Sequence, residues 1–223
     1  MSARAAWAIA LKDLRVERRS RAALGATLPF ATTMLLSYGF ALGPGRALLV
    51  QAAPGLLWLA GLLAALELFH RSYQAELDDA CLDGLLLAPV DRGAVYLGKA
   101  ASVAVQVAVL FAVTAALTVG LFGLPIGPTP LLLVATTVLG ILGLSALGSL
   151  FGLLTARART RQAALPVLVL PLATPVLIGS IRATALLTAG STGEAGSWLA
   201  LLAAFDAALL ATGYLVYGHL LEE

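Results

Sequence analysis

The chain is short of charge. Of its 223 residues only 12% are Asp, Glu, Lys or Arg, about half the share of a soluble domain, roughly 25%. That excludes a water-exposed globular surface of ordinary size. There is one cysteine, Cys81, which excludes an internal disulfide and a cysteine-built metal cage. There are two histidines, His70 and His219. No G-x-x-x-x-G-K-[S/T] run occurs, so the sequence holds no P-loop for ATP.

What remains is apolar. Hydrophobic residues make up 60% of the chain, and the mean hydropathy is +0.95. Apolar runs of about 20 residues recur, each long enough to cross ~30 Å of hydrocarbon as a helix. The runs are continuous rather than alternating, which excludes a β-barrel. The expected fold is all-α: one polytopic membrane domain over 1–223, with six transmembrane helices near 22–43, 47–68, 99–123, 130–154, 164–188 and 198–218. Gly43-Pro44-Gly45 marks a tight turn after the first. Pro125, Pro128 and Pro130 mark the turn after the third, and Gly190–Gly196 a flexible link before the last.

Basic residues orient the spans. Arg4, Lys12, Arg15, Arg18, Arg19 and Arg21 precede the first. Arg71, Arg92 and Lys99 lie between the second and third, and Arg157, Arg159 and Arg161 between the fourth and fifth. Only Arg46 and Arg182 fall on the other side. The positive-inside rule places both termini in the cytoplasm. The charged, amphipathic N-terminus lacks a clear cleavage site, and is expected to be a cytoplasmic helix rather than a signal peptide.

Two cytoplasmic segments stand out. In the first, Trp7, Leu11 and Leu14 share one helical face, while Arg15 and Arg19 sit among the charges elsewhere. Such a helix suits the membrane surface, with tryptophan and leucines down and arginines on phosphate; a plain topology anchor is compatible with this. The second is "RSYQAELDDACLDGLLLAPVDRGAVYLGK", Arg71–Lys99. Asp78 and Asp79 stand where a helix N-terminus favours negative charge. Leu82, Leu85 and Leu86 form a stripe, Pro89 stops the helix, and Asp91 can cap the next span. A leucine face with an acidic end suits docking on a soluble partner. The plainer alternative is a helix lying on lipid.

Within the spans, Gly140, Gly143, Gly148 and Gly152 read as close helix packing rather than a phosphate loop. Ser145 faintly resembles an intramembrane hydrolase nucleophile, but both histidines fall at cytoplasmic helix ends, away from its depth. Those histidines read as ordinary helix-end residues rather than metal or haem ligands. Trp58 and Trp198 are expected at the outer interface, Tyr214 and Tyr217 at the inner one. Pro166, Pro171 and Pro175 should bend or break the fifth span. Asp206 falls near the bilayer middle and so should face protein. Arg182 is the expected partner, with Thr184 and Thr188 as weaker donors.

Three stretches carry a resemblance: "LKDLRVERRSRAAL", "LDGLLLAPVDRGAVYLGK" and "ARTRQAALPVLVLPLATPVLI". Together they resemble the cytochrome c maturation protein B family, haem exporter permeases of the type-2 ATP-binding-cassette class. The likeness spans nearly the whole chain, with Ala80 a departure where a glycine is common. It implies a bacterial inner-membrane permease subunit, not itself an enzyme. The N-terminal helix would be the elbow helix of that class. Asp79, Leu82, Leu85, Leu86, Pro89 and Arg92 would belong to a coupling helix seated on a separate P-loop ATPase, which would hold the ATP and Mg. A second copy of the chain, other cytochrome c maturation membrane proteins and membrane lipid are the implied partners, with no nucleic acid. Haem is a possible substrate, and no cofactor is implied in this chain. A type-2 permease for lipid, polysaccharide or drug, and a non-transport membrane scaffold, stay open as alternatives.

Overall fold

The computed structural model describes residues 2–20, 22–78, 91–156 and 161–222. Among these residues the fold is all-helical. The elements are α1 (Ser2–Ser20), α2 (Ala22–Leu42), α3 (Arg46–Asp78), α4 (Arg92–Phe122), α5 (Pro130–Ala156), α6 (Arg161–Thr188) and α7 (Thr192–Glu222). Five helices are long and apolar enough to cross a membrane, over Arg46–His70, Arg92–Phe122, Pro130–Gly152, Leu165–Thr188 and Thr192–Tyr217. The 21-residue α2 is not among them. Its threonines, serine and Pro29 lower its hydropathy. Two of those hydroxyls bond back to the helix, Thr32 to the Leu28 carbonyl and Ser37 to the Thr33 carbonyl.

The turns form where glycine and proline predict them. Gly43 (φ 74°) closes α2, and Gly123 (φ 67°) caps α4 by donating to the Val119 carbonyl. The last link is shorter than its composition implies. The helical chain resumes at Thr192, so Gly193 and Gly196 lie inside α7, with Glu194 in its first turn. A carboxylate there suits the helix dipole. α3 is longer than its apolar stretch. Its 33 residues reach about 50 Å at ~1.5 Å per residue, well beyond the hydrocarbon core. Asp78 is the last described residue of α3, and Asp79 lies outside the described residues.

α5 is the hub, touching α3, α4, α6 and α7. Its glycine face receives large side chains. A Cβ on Gly148 would lie 2.5 Å from the Phe69 ring, and one on Gly140 would lie 2.5 Å from Trp58 Cζ3 and 2.6 Å from Ser180 Oγ. The expectation of close packing at these glycines holds. Trp58 corrects another expectation. It is buried rather than at the outer interface, 4.8 Å from Phe111 between ring centroids. Its indole N–H donates to Thr184 Oγ1 at 3.0 Å. Tyr217, expected at the inner interface, is likewise buried, 5.4 Å from Tyr96. The outer surface is apolar instead: Phe40 is 85% exposed and Leu131 78%, as suits helices solvated by lipid.

Gly140→Ala should lower the thermal unfolding midpoint in detergent, since overpacking a filled core costs roughly 1–3 kcal/mol. Gly55→Ala, with nothing within 4 Å of the added carbon, should leave the midpoint unchanged or raise it. Equal behaviour of the two variants would count against the close fit at α5.

Candidate functional site

The first turns of α4 gather polar contacts that join it to other helices. Asp91 caps the helix as its sequence position predicts, accepting from the Gly93 N–H at 3.4 Å. Its other oxygen accepts from the Tyr214 hydroxyl of α7 at 2.6 Å. Gly93 permits this, because a Cβ there would fall within 2.7 Å of the Tyr214 ring. One turn on, Tyr96 is buried and donates to the Ala146 carbonyl of α5 at 3.2 Å. Three elements are thus joined at the start of α4.

α1 lies on the same stretch. A Cβ on Gly98 would be 2.6 Å from the Ala6 carbonyl and 3.0 Å from Ile9 Cβ. Beside it, Lys99 Nζ sits 3.0 Å from Asp13 Oδ2, with the two side chains 4% and 11% exposed. Lys12 approaches the other Asp13 oxygen at 3.4 Å. Lys99 is therefore not a water-facing topology charge. It is a buried cation inside α4, neutralised by α1.

α1 has two faces in consequence. Ala10 is buried, and Asp13 turns inward beside it. Trp7 is 66% exposed, Leu11 and Leu14 are half-buried, and Arg15 is exposed. Arg19 lies in the last turn, and its side chain falls outside the described part. The sequence signal for the inner face was present: Ala6, Ala10 and Asp13 at i, i+4 and i+7, with Gly98-Lys99 to receive them.

The expected coupling residues Asp79, Leu82, Leu85, Leu86 and Pro89 lie outside the described residues. Arg92, the first residue of α4, is exposed. In sequence, residues 79–90 lie between α3 and Asp91.

In the interior, Asp206 is buried against protein, as its depth predicts. Its expected partner is wrong. Arg182 is exposed on α6, and neither Asp206 oxygen has a hydrogen-bond partner among the described residues. The physical reason is helical phase. Val176 of α6 borders Gly143, which Asp206 touches, and Arg182 is six positions further on, about 240° around the helix. Thr184 is engaged elsewhere, accepting from Trp58 and donating to the Ser180 carbonyl at 2.7 Å. Thr188 donates to the Thr184 and Ala185 carbonyls. Ser145 is buried, and among the described residues its hydroxyl has no hydrogen-bond partner.

Of the expected bend or break at Pro166, Pro171 and Pro175, the break does not occur: α6 runs through all three as one helix. Pro175 removes the donor that the Pro171 carbonyl would otherwise receive. Pro171 and Pro175 line an open groove of about 520 Å³ with Thr174, Ile178, Trp198 and Leu201. His70 is half-buried within α3 rather than at its end. The side chain of His219 falls outside the described part. No group of three His, Cys, Asp or Glu residues among the described residues is placed to hold a metal.

Five long apolar helices around a shared interior define a multi-pass membrane protein. A family model described as CcmB protein matches residues 4–222, and the chain belongs to that family. Heme exporter protein B of Paracoccus denitrificans is 33% identical over 208 residues, 92% of each chain. That of Rhodobacter capsulatus is 33% identical over 171 residues, 77% of this chain and 78% of its own. That of Escherichia coli K12 is 34% identical over 93 residues, 42% of each.

Asp13→Ala should destabilise the protein by about 3–5 kcal/mol, because it removes the carboxylate that faces the buried Lys99 ammonium. Asp13→Leu combined with Lys99→Met should recover most of that loss, as both charges are then gone. Thermal unfolding of the purified chain reads both. A double variant no better than Asp13→Ala would show that the ion pair is not what holds α1 to α4.

Proposed function

We propose that the chain is the membrane permease subunit of an ATP-binding-cassette system for haem export or haem release in cytochrome c maturation. The match to the CcmB family over residues 4–222 carries this reading. The names of the relatives support the haem assignment. The lack of a P-loop supports a separate ATPase subunit, which would hold ATP and Mg.

The topology proposed is six spans, with α2 added to the five longer helices, in a bacterial inner membrane with both termini cytoplasmic. The basic residues before α2 and between α5 and α6 support that orientation. α1 is the elbow helix. Its exposed Trp7 and Arg15 face the membrane surface, while its Ala6–Ala10–Asp13 face grips α4.

Residues 79–90 are the coupling segment, with Leu82, Leu85 and Leu86 seated on the ATPase. The mechanical case rests on how that segment is anchored. It starts from the cytoplasmic extension of α3 and ends at Asp91. Force on it enters α3 and α4 directly. It passes to α7 through the Asp91–Tyr214 hydrogen bond and to α1 through the Lys99–Asp13 pair. Two copies of the chain with two ATPase subunits complete the assembly.

Leu85→Asp and Leu86→Asp should each abolish co-purification of the ATPase while leaving membrane insertion intact. Each puts a carboxylate into an apolar groove, at a cost of several kcal/mol unless it is paired. Both variants should also fail to restore cytochrome c maturation in a deletion strain. Normal recovery of the ATPase would refute the coupling role. Failure of the wild-type chain to restore maturation would refute the haem reading and leave a permease for another substrate.

A further inference from the structure

Asp206 carries an inference that does not depend on what the protein transports. It lies on α7, a helix that contacts α4, α5 and α6. The residue is 4% exposed, and neither carboxyl oxygen has a hydrogen-bond partner among the described residues. The α5 backbone comes directly against it at Gly143, where any Cβ would collide with Asp206 Oδ1 and would also lie 2.9 Å from Val176 Cγ2. A missing Cβ on one helix and an unpartnered carboxyl on the next define a small closed site.

Among the described residues, the surrounding helices supply no countercharge to this site. α5 has no ionisable residue along its length. On α6, Arg182 is exposed on the far side, and Arg161 is fifteen positions from Val176, about 22 Å along the axis. On α4, Lys99 is committed to Asp13, while Arg92 and Tyr96 lie in the first two turns. Tyr96 packs on Gly213, seven positions from Asp206 and so about 10 Å away along α7. On α7 itself, Glu194 lies in the first turn, and Tyr214, Tyr217, His219 and Glu222 lie beyond Gly213. An ionised carboxylate without a cation or donors is the least tolerated group in a dry membrane interior. The neutral acid loses least there.

We propose that Asp206 is an intramembrane proton-binding site, occupied by one proton when α5, α6 and α7 are packed together as here. The ligand is a proton rather than a metal ion, because Asp206 belongs to no group of three His, Cys, Asp or Glu residues among those described, and the α5 backbone at Gly143 closes directly on Oδ1. Parting α7 from α5 admits water and releases the proton, so any motion that separates these helices is linked to proton uptake and release.

Infrared spectroscopy of the full-length chain in lipid bilayers tests this. The chain has six aspartates, and Asp13 and Asp91 are engaged elsewhere, with Lys99 and Tyr214. At neutral pH the wild-type protein should show one neutral-carboxyl C=O stretch that shifts with carboxyl-labelled ¹³C-aspartate and with D₂O. Asp206→Asn should remove it. The isotope shift assigns the band to aspartate in the wild-type chain, so the test survives a variant that fails to fold. In that case, mass-spectrometric mapping of adducts with a membrane-soluble carbodiimide, which adds across the O–H of a neutral acid, should place the modified residue at Asp206. Absence of the neutral-aspartate band at neutral pH would overturn the proposal. So would a band that sodium removes at constant pH, since that assigns the site to a metal cation.

Discussion

Close approach to α5 is the constraint that the interior of the bundle obeys. Lipid offers helices no hydrophobic reason to associate, so packing and a few polar contacts must hold them. α5 meets that demand by omission. Where it carries Gly140, Gly143 and Gly148, the neighbours insert Trp58, Asp206 and Phe69. Each insertion has a consequence beyond contact. Trp58 reaches across to bond Thr184 of α6, which ties α3 to α6 beside the hub. Asp206 is pressed against backbone and shut off from water. Side chains with Cβ atoms at those positions would hold the helices apart and open both arrangements.

The end of the bundle where α4 begins is held by different physics. There the contacts are polar and specific, and they converge on the first turns of α4. Asp91 serves both its own helix N-terminus and the Tyr214 hydroxyl. Lys99 is buried because Asp13 comes to it. A buried ion pair adds little net stability, yet losing one partner is severe. Such a pair therefore fixes where α1 sits more than how firmly the whole protein folds. In the proposed permease, that makes α1 and α4 one body at the point where the coupling segment arrives.

Much of this was legible in the residues. The helices, their turns at Gly43 and Gly123, the Asp91 cap, the packing role of the glycines and the burial of Asp206 all follow from local rules of apolar length, backbone freedom and capping. So does the family, because its motifs are contiguous stretches of chain. The misjudged points are of another kind. Composition made Gly190–Gly196 a link, although the helix resumes at Thr192. Three prolines promised a bend or a break in α6, and the helix is not broken at them.

Length, hydropathy and charge distribution by themselves determined that this is an all-helical membrane protein and which end of each helix carries the basic residues. These are properties of one segment against solvent or lipid. Which polar groups meet was decided only in the tertiary structure. Lys99 read as a surface charge until α1 folded back with Asp13, eighty-six positions away. Arg182 read as the partner of Asp206 until the rotation of α6 turned it outward. Trp58 read as an interface residue until Gly140 made room for it. In each case the outcome depends on the rotation of one helix about its axis relative to another, and only the packing of all the helices together sets that angle.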